Sequence, residues 1–147
     1  NTRLTFYMAP GHTTNGIFTV VESVDTNGSK MTGVLIAGDY LSNVEFPFID
    51  QNSRSYEETL LKVEDVLRQH NINLMVPGHG DVAHSGIEIK ERVAESLQYM
   101  FELRQSLGGG EPFDLMKWLG RYRFPISLEK AHHKNIAMIQ KEIKEQA

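Results

Sequence analysis

The sequence predicts a layered α/β fold, with helices packed on a sheet, because the spacing of its apolar residues changes along the chain. Apolar and β-branched residues first occur in short runs, at residues 4–8, 17–24 and 31–37, that stop near Gly, Pro or Asn. Such runs are typical of strands. After residue 55 the apolar residues recur every three or four positions, as on one helix face. Strands followed by helix, strand and helix indicate a layered arrangement.

The strand region contains one strong turn signal. Asp25-Thr26-Asn27-Gly28 separates the second apolar run from the third. An Asn-Gly pair between two such runs predicts a tight hairpin, because the turn requires positive φ at its centre. A further short strand is predicted at residues 74–76, directly before Pro77.

Two capping boxes predict where the long helices begin. In each, a Ser side chain accepts a hydrogen bond from the amide three residues later and a Glu there reaches back. The pairs are Ser55 with Glu58 and Ser85 with Glu88. The second helix is expected to run to about Leu107, where a Gly triplet ends it.

The chain divides into a first unit, residues 1–107, and a helical accessory tail, residues 108–147. In the tail, Pro112 suits the first turn of a short helix. Ser127 is placed to cap a last helix. No specific function follows from this segment.

The composition excludes several classes of function. The net charge of −4 argues against a general nucleic-acid binder. No apolar run approaches the roughly 20 residues needed to cross a bilayer, so no membrane association is expected. The absence of cysteine excludes disulfides, thiolate metal sites and a cysteine nucleophile, and it fits a cytoplasmic protein.

Three short loops each place a possible metal ligand at the end of an apolar run. His12 follows Pro10-Gly11, Asp39 follows Gly38, and His79 follows Pro77-Gly78. The Gly or Pro ends the strand and lets the ligand project from the sheet edge. Each loop alone is an ordinary turn, but two imidazoles and a carboxylate in this series predict a zinc-type metal centre.

In this order the loops resemble the later metal-binding motifs of the metallo-β-lactamase superfamily. Residues 10–16 resemble the family's Pro-Gly-His-Thr-Pro-Gly loop, with Thr14-Asn15 where the family has a single Pro. The resemblance implies that His12 completes the three-histidine set of a first metal, Asp39 bridges two metals, and His79 binds the second. The implied cofactor is a pair of zinc ions in the complete protein, with manganese or iron as alternatives.

The earlier motif of that family, His-x-His-x-Asp-His, does not occur in this sequence. The resemblance therefore implies a fragment: the C-terminal half of an αββα sandwich, with the helical tail attached. The parent protein is expected to be an enzyme and this chain alone inactive, with no catalytic group beyond the metal ligands. Half a sandwich exposes an apolar sheet face, so the expected partner is the missing N-terminal half or a second copy.

The implied activity is a metal-dependent hydrolase that uses metal-bound hydroxide on an ester, thioester, lactone, amide or phosphodiester of a small molecule. Phe46 and Phe48, in the apolar patch at residues 46–49, and His84 are expected to contact the substrate. The alternatives are that the patch fixes a loop in the core and that His84 is an exposed loop residue.

Two other classes of function stay open. The first is a non-catalytic interaction or assembly module built on the same scaffold, which the missing ligands would explain. The second is a small α/β ligand-binding domain without any metal, which requires the three loops to lie far apart.

Overall fold

The described part of the chain forms a four-stranded sheet. The structure, a computed structural model, describes residues 1–25, 27 and 30–145. The strands lie in the order β1-β2-β3-β4, and they are Thr2–Met8, Ile17–Val24, Lys30–Gly38 and Ile72–Pro77. The first three are antiparallel neighbours, whereas β4 is parallel to β3. The predicted Asn-Gly turn between β2 and β3 includes Thr26 and Gly28, which lie outside the described residues.

The helices follow the predicted order. α1 (Ser53–Gln69) forms the crossover from β3 to β4, and α2 (Gly86–Leu107) follows β4. The tail contains α3 (Leu115–Leu119), a 3-10 turn (Pro125–Ser127) and α4 (Leu128–Lys144). A mixed sheet with helices layered on it confirms the predicted α/β class. In the described part of the chain, no helix is both long enough and apolar enough to cross a membrane.

The two faces of the sheet differ in what covers them. Side chains alternate between faces along a strand. The helix-covered face carries fully buried residues, namely Phe18, Val20, Leu35, Ala37 and Met75. The register places a second apolar set on the opposite face. We call this second set the open face: Leu4, Phe6, Met8, Ile17, Thr19, Val21, Val34, Ile36, Leu74 and Val76.

The start of α1 differs from the prediction. Asn52, not Ser55, is the N-cap, and its side chain accepts a hydrogen bond from Ser55 N at 2.8 Å. The helix begins earlier because the backbone before it is already fixed: Asn52 N donates to Gly11 O at 3.2 Å. At α2 the prediction is confirmed, since Ser85 Oγ accepts from Glu88 N at 3.1 Å.

The tail helices also begin differently from the prediction. Asp114 caps α3 by accepting from Lys117 N at 2.9 Å, so Pro112 lies before the helix instead of in its first turn. Ser127 precedes α4 but makes no capping bond with its side chain. Its backbone is helical because the 3-10 turn continues directly into α4. Gly108 ends α2 as expected.

The tail packs against the first unit through buried polar contacts. Trp118 Nε1 donates to Glu102 on α2 at 2.7 Å. Glu142 on α4 accepts from the backbone N of Ser53 at 2.7 Å and from its hydroxyl. The division at residue 107 stays a prediction, but the tail is in close contact with α1, α2 and the loop after β3.

Candidate metal centre

The three predicted ligands meet at one edge of the sheet. β1, β3 and β4 all point the same way, so the loops that follow them emerge at the same end. His12 Nε2 lies 3.2 Å from Asp39 Oδ2, and His79 Nε2 lies 3.2 Å from Asp39 Oδ1. One carboxylate therefore contacts two imidazoles, one on each oxygen.

The loop that carries His12 requires glycine at residue 11. Gly11 has a φ of +120°, and a Cβ atom there would lie 2.3 Å from Tyr56 N. The Gly11 carbonyl accepts hydrogen bonds from Gln51 N and Asn52 N. The chain can thus approach the start of α1 closely enough to turn His12 toward β3.

Tyr40 joins the loop after β1 to the end of β3. Its hydroxyl accepts from His12 N at 3.0 Å and donates to Pro10 O at 2.6 Å. Burial raises the pKa of the Tyr40 hydroxyl, with opposing hydrogen bonds from His12 and Thr59. The phenol keeps its proton, so it can make both bonds beside Asp39.

Close backbone contacts also fix the loops of Asp39 and His79 to each other. Gly78 N donates to Gly38 O at 2.6 Å. A Cβ atom on Gly78 would lie only 2.5 Å from Asp39 Oδ1. Glycine is therefore needed at residue 78 for the carboxylate to reach the position between the imidazoles.

Arg92, a buried residue of α2, connects the same two loops from behind. Its guanidinium donates to Leu41 O at 3.2 Å and to Asp81 O at 2.8 Å. Its charge is balanced by Glu88 at 2.6 Å. Leu41 has a φ of +61°, which is costly for a residue with a Cβ, and the bond from Arg92 helps to hold it there.

The hydrogen bond at the far side of His12 determines which ring nitrogen carries a proton. His12 Nδ1 lies 2.7 Å from the Phe48 carbonyl, which can only accept, so Nδ1 donates. In the neutral ring, Nε2 then presents a lone pair to the Asp39 carboxylate. Two electron-rich atoms 3.2 Å apart need a proton or a metal ion between them.

His79 is held less firmly than His12. Its side chain is 57% exposed, against 16% for His12. Its Nδ1 lies 4.0 Å from Glu45 Oε1, which is too far for a hydrogen bond. Burial raises the pKa of the Glu45 carboxyl; His79 and His12 lower it and Asp39 raises it. Glu45 is placed to orient His79, because metal-ligating imidazoles commonly donate their second N–H to a carboxylate.

The donors fit a divalent metal in type and spacing but are too few for a closed site. Neighbouring ligands in a tetrahedral zinc site lie about 3.3 Å apart, for bonds of about 2.0–2.1 Å. Both imidazole–carboxylate separations here are 3.2 Å. Among the residues that the structure describes, however, no group of three or more His, Cys, Asp or Glu side chains forms a metal-holding cluster. The arrangement is two pairs that share Asp39.

The residues predicted to contact the substrate occupy different surroundings. Phe46 is buried and stacks on Tyr99, with ring centroids 4.5 Å apart, so its ring fixes the loop in the core. Phe48 is partly buried, and its carbonyl contacts His12. After His79 the chain runs back along β4 and pairs Ala83 with Met75. This path carries His84 away from the ligands, and its side chain is exposed.

Three residues beside the ligands were not predicted from the sequence: Tyr40, Glu45 and Arg92. The available signal for Glu45 was a lone carboxylate six positions after Asp39, at the start of an apolar patch. Tyr40 directly follows a predicted ligand. Arg92 gave no signal, because its position on α2 is separated from Leu41 by 51 residues.

No protein-family model matches this chain, and no curated protein matches it in sequence. Among solved structures it is similar to a B3 metallo-β-lactamase with an active-site glutamic acid, with 11% identity and a TM-score of 0.44 over 67% of this chain and 39% of the other. It is also similar to an archaeal metallo-β-lactamase superfamily protein from Sulfolobus tokodaii, with 15% identity and a TM-score of 0.46 over 99% of this chain and 47% of the other. The chain thus spans less than half of either protein. At these values the similarity assigns no chemistry to it.

Proposed function

We propose that this chain supplies the metal-binding loops after β1, β3 and β4 of a metal-dependent hydrolase of the metallo-β-lactamase superfamily. The observation that carries the proposal is the shared carboxylate, with His12 and His79 each 3.2 Å from a different oxygen of Asp39. The order of the three loop motifs along the sequence supports the same assignment.

His12, Asp39 and His79 would hold the metal, for which we propose zinc, with manganese or iron as alternatives. A divalent ion bound there would lower the pKa of a water molecule and polarise a carbonyl or phosphoryl oxygen. The protein's own contribution is orientation. Phe48 fixes the ring of His12, Glu45 faces that of His79, and Asp39 is held by the loops joined through Tyr40 and Gly78.

The proposed substrate is a small ester, thioester, lactone, amide or phosphodiester. The net charge of −4 makes a polyanionic substrate such as nucleic acid less favourable. Phe48 is the apolar side chain proposed to contact the substrate, because it adjoins His12. The proposed setting is the cytoplasm.

The proposal includes a partner that covers the open face and completes the ligand set. Five large apolar side chains of this face are exposed: Leu4, Phe6, Met8, Ile17 and Ile36. Contiguous apolar surface of this kind is usually covered. The remaining half of the sandwich would cover it, and a second copy of the chain is the alternative.

A second candidate function is a non-catalytic assembly module on the same scaffold. The observation that favours it is that the candidate centre consists of two imidazole–carboxylate pairs, and that the described residues form no metal-holding group of three or more side chains. The ligand-binding domain without metal is not supported, because it requires separated loops and the three side chains are in contact.

The deciding experiment is intact-mass spectrometry with metal analysis on protein that has never been unfolded. We expect a companion fragment and about two equivalents of metal, followed by activity on esterase and phosphodiesterase panels. A single chain of 16.7 kDa that carries no metal and takes up no zinc would overturn the hydrolase proposal and favour the module.

Asp39→Asn tests the role of the shared carboxylate. The amide keeps the shape but loses the charge, so we expect zinc affinity to fall more than about 100-fold, beyond the 10–100-fold typical of outer-shell partners. His84→Ala is the matched control and is expected to leave zinc affinity unchanged. Equal affinities in both variants, measured by competition with a chelating dye, would contradict the assignment.

A further inference from the structure

Asn135 on α4 binds the backbone on both sides of Phe48. Its Oδ1 accepts from Ile49 N at 3.0 Å, and its Nδ2 donates to Pro47 O at 2.6 Å. A backbone N–H can only donate and a carbonyl can only accept, so the amide orientation of Asn135 is fixed by its partners. The side chain is 1% exposed, so water does not compete for these bonds.

One peptide group connects Asn135 to the candidate metal centre. The carbonyl of Phe48 and the N–H of Ile49 belong to the same planar unit and point in opposite directions in a trans peptide. The N–H end binds Asn135, and the carbonyl end accepts from His12 Nδ1 at 2.7 Å. Rotating this peptide plane would break both hydrogen bonds together.

We propose that Asn135 is a positioning residue for His12: by fixing the Phe48–Ile49 peptide group it keeps the His12 proton on Nδ1 and directs Nε2 toward Asp39. The importance of this for metal binding rests on the proposed function, but the effect on His12 does not. The accessory tail thereby acquires a role, because Asn135 on its longest helix sets the orientation of His12, which precedes Asn135 by more than 120 residues.

The surroundings of Asn135 make it a rigid support. Its Nδ2 also donates to Tyr99 OH at 3.0 Å, and Tyr99 OH lies 2.9 Å from His132 Nδ1. Tyr99 in turn stacks on Phe46, in the same loop as Phe48. The amide is therefore held by α2 as well as by the loop. Such linked hydrogen bonds strengthen each other in a buried setting.

His79 provides the internal comparison. Its Nδ1 lies 4.0 Å from Glu45 Oε1, too far for a hydrogen bond, and no described contact joins Asn135 to Glu45. A change at Asn135 should therefore alter His12 and leave His79 as it was. A general loosening of the fold would alter both rings.

The test is nitrogen-15 NMR of the histidine rings in the full metal-free chain near pH 8. Wild-type His12 should carry a proton on Nδ1, whether or not Nε2 shares a second proton with Asp39. In Asn135→Ala the ratio of His12 rings with a proton on Nδ1 to rings without one should fall about fivefold, which corresponds to roughly one hydrogen bond, while His79 is unchanged.

Glu102→Gln is the matched control, because it weakens a different contact between the tail and α2. It should lower stability without moving the His12 signals. A wild-type His12 without a proton on Nδ1, or an Asn135→Ala variant that folds and keeps the wild-type fraction of Nδ1–H, would overturn the positioning role. The wild-type measurement tests the proposal even if Asn135→Ala does not fold.

Zinc titration separates this inference from the proposed function. We expect Asn135→Ala to bind zinc 10–100-fold more weakly than the wild type. If the wild type binds no zinc but its tautomer depends on Asn135, the hydrolase proposal fails and the positioning role stands. If the wild type binds zinc but the protonation of His12 Nδ1 does not change in Asn135→Ala, the positioning role is wrong and the hydrolase proposal is unaffected.

Discussion

Neighbouring residues of one strand show how differently the two faces of the sheet are built. On β3, Leu35 is fully buried beneath the helices, whereas Ile36 is 43% exposed on the open face. The same alternation occurs on β2, where Phe18 is buried and Ile17 is not. Both faces are apolar, but only one has a covering layer. Folding of this chain should therefore depend on the helix-covered face, whereas the open face is the surface that we propose a partner covers.

The largest expected loss of stability comes from truncating a side chain on the helix-covered face. Leu35→Ala removes a fully buried side chain and should cost about 2–5 kcal/mol of unfolding free energy, because it leaves a cavity. Ile36→Ala, one residue away, should cost less than about 1 kcal/mol, since Ile36 already contacts solvent. Urea denaturation at low protein concentration measures both.

Similar losses in the two variants would contradict this comparison. They would mean that the open face is covered in solution even when the chain is dilute. Repeating the titration at increasing protein concentration would then identify a second copy as the cover, because only self-association makes stability depend on concentration.

The helix-covered side also contains a histidine that resists protonation. Burial, with a smaller effect of His133, lowers the pKa of His132 from 6.5 to about 4. The unfolded chain takes up this proton first, so the contribution of His132 to stability should be constant above pH 6.5 and be lost between pH 6.5 and 4, at a cost of at most about 3 kcal/mol. Thermal unfolding at several pH values measures the slope.

His132→Asn isolates that contribution. Asn retains an acceptor for the Tyr99 hydroxyl but does not titrate in this range. The difference in stability between wild type and variant should therefore shrink as the pH falls from 6.5 to 4. A difference that is independent of pH would show that groups other than His132 cause the acid sensitivity.

The open face should control association more than stability. The double variant Phe6→Thr and Met8→Thr removes two large exposed side chains from β1 but keeps good strand formers. We expect its self-association constant to fall at least about tenfold, with little change in unfolding free energy. Sedimentation velocity measures the association.

Ile126→Thr is the control for exposed apolar surface in general. Ile126 is 97% exposed but lies in the tail, away from the sheet. Association that weakens equally in this variant, or does not weaken in the double variant, would show that the open face is not the contact surface.

The smallest effect on stability is expected at Glu102, whose contacts with the tail involve neither face of the sheet. The hydrogen bond from Gln98, with others from Trp118 and Lys117, lowers the pKa of Glu102 to about 2. Glu102→Gln removes the charge but keeps an acceptor for Trp118, so the cost should be about 1 kcal/mol. A larger loss in urea denaturation would mean that the tail depends on this contact alone.

Local sequence patterns predicted most of the fold because the signals were themselves local. The strand runs, the capping box at Ser85 and the Gly stop at residue 108 each act within a few residues. The start of α1 was predicted wrongly because its cap is reinforced by Gly11, far away in the sequence. Ser127 failed as a cap because the preceding 3-10 turn fixed its backbone.

The candidate site was predictable only in part, because local patterns do not reveal contacts between residues far apart in sequence. His12, Asp39 and His79 each follow a strand, and parallel strands deliver their loops to one edge, so the sequence could bring the three together. The groups that orient them come from other elements. Asn135 lies 86 residues from Ile49, and no local pattern connects the two.

The distance in sequence between Phe48 and Asn135 sets the timing of the site during synthesis. A ribosome adding roughly 5–20 residues per second completes Phe48 about 4–17 s before it reaches Asn135. In that interval the nascent chain already carries His12 and Asp39, but the Ile49 amide has no partner on α4. A metal ion captured early would meet an imidazole that is still free to rotate. The helix that carries Asn135 is thus translated well after His12, and in the proposed role it fixes the orientation of that imidazole.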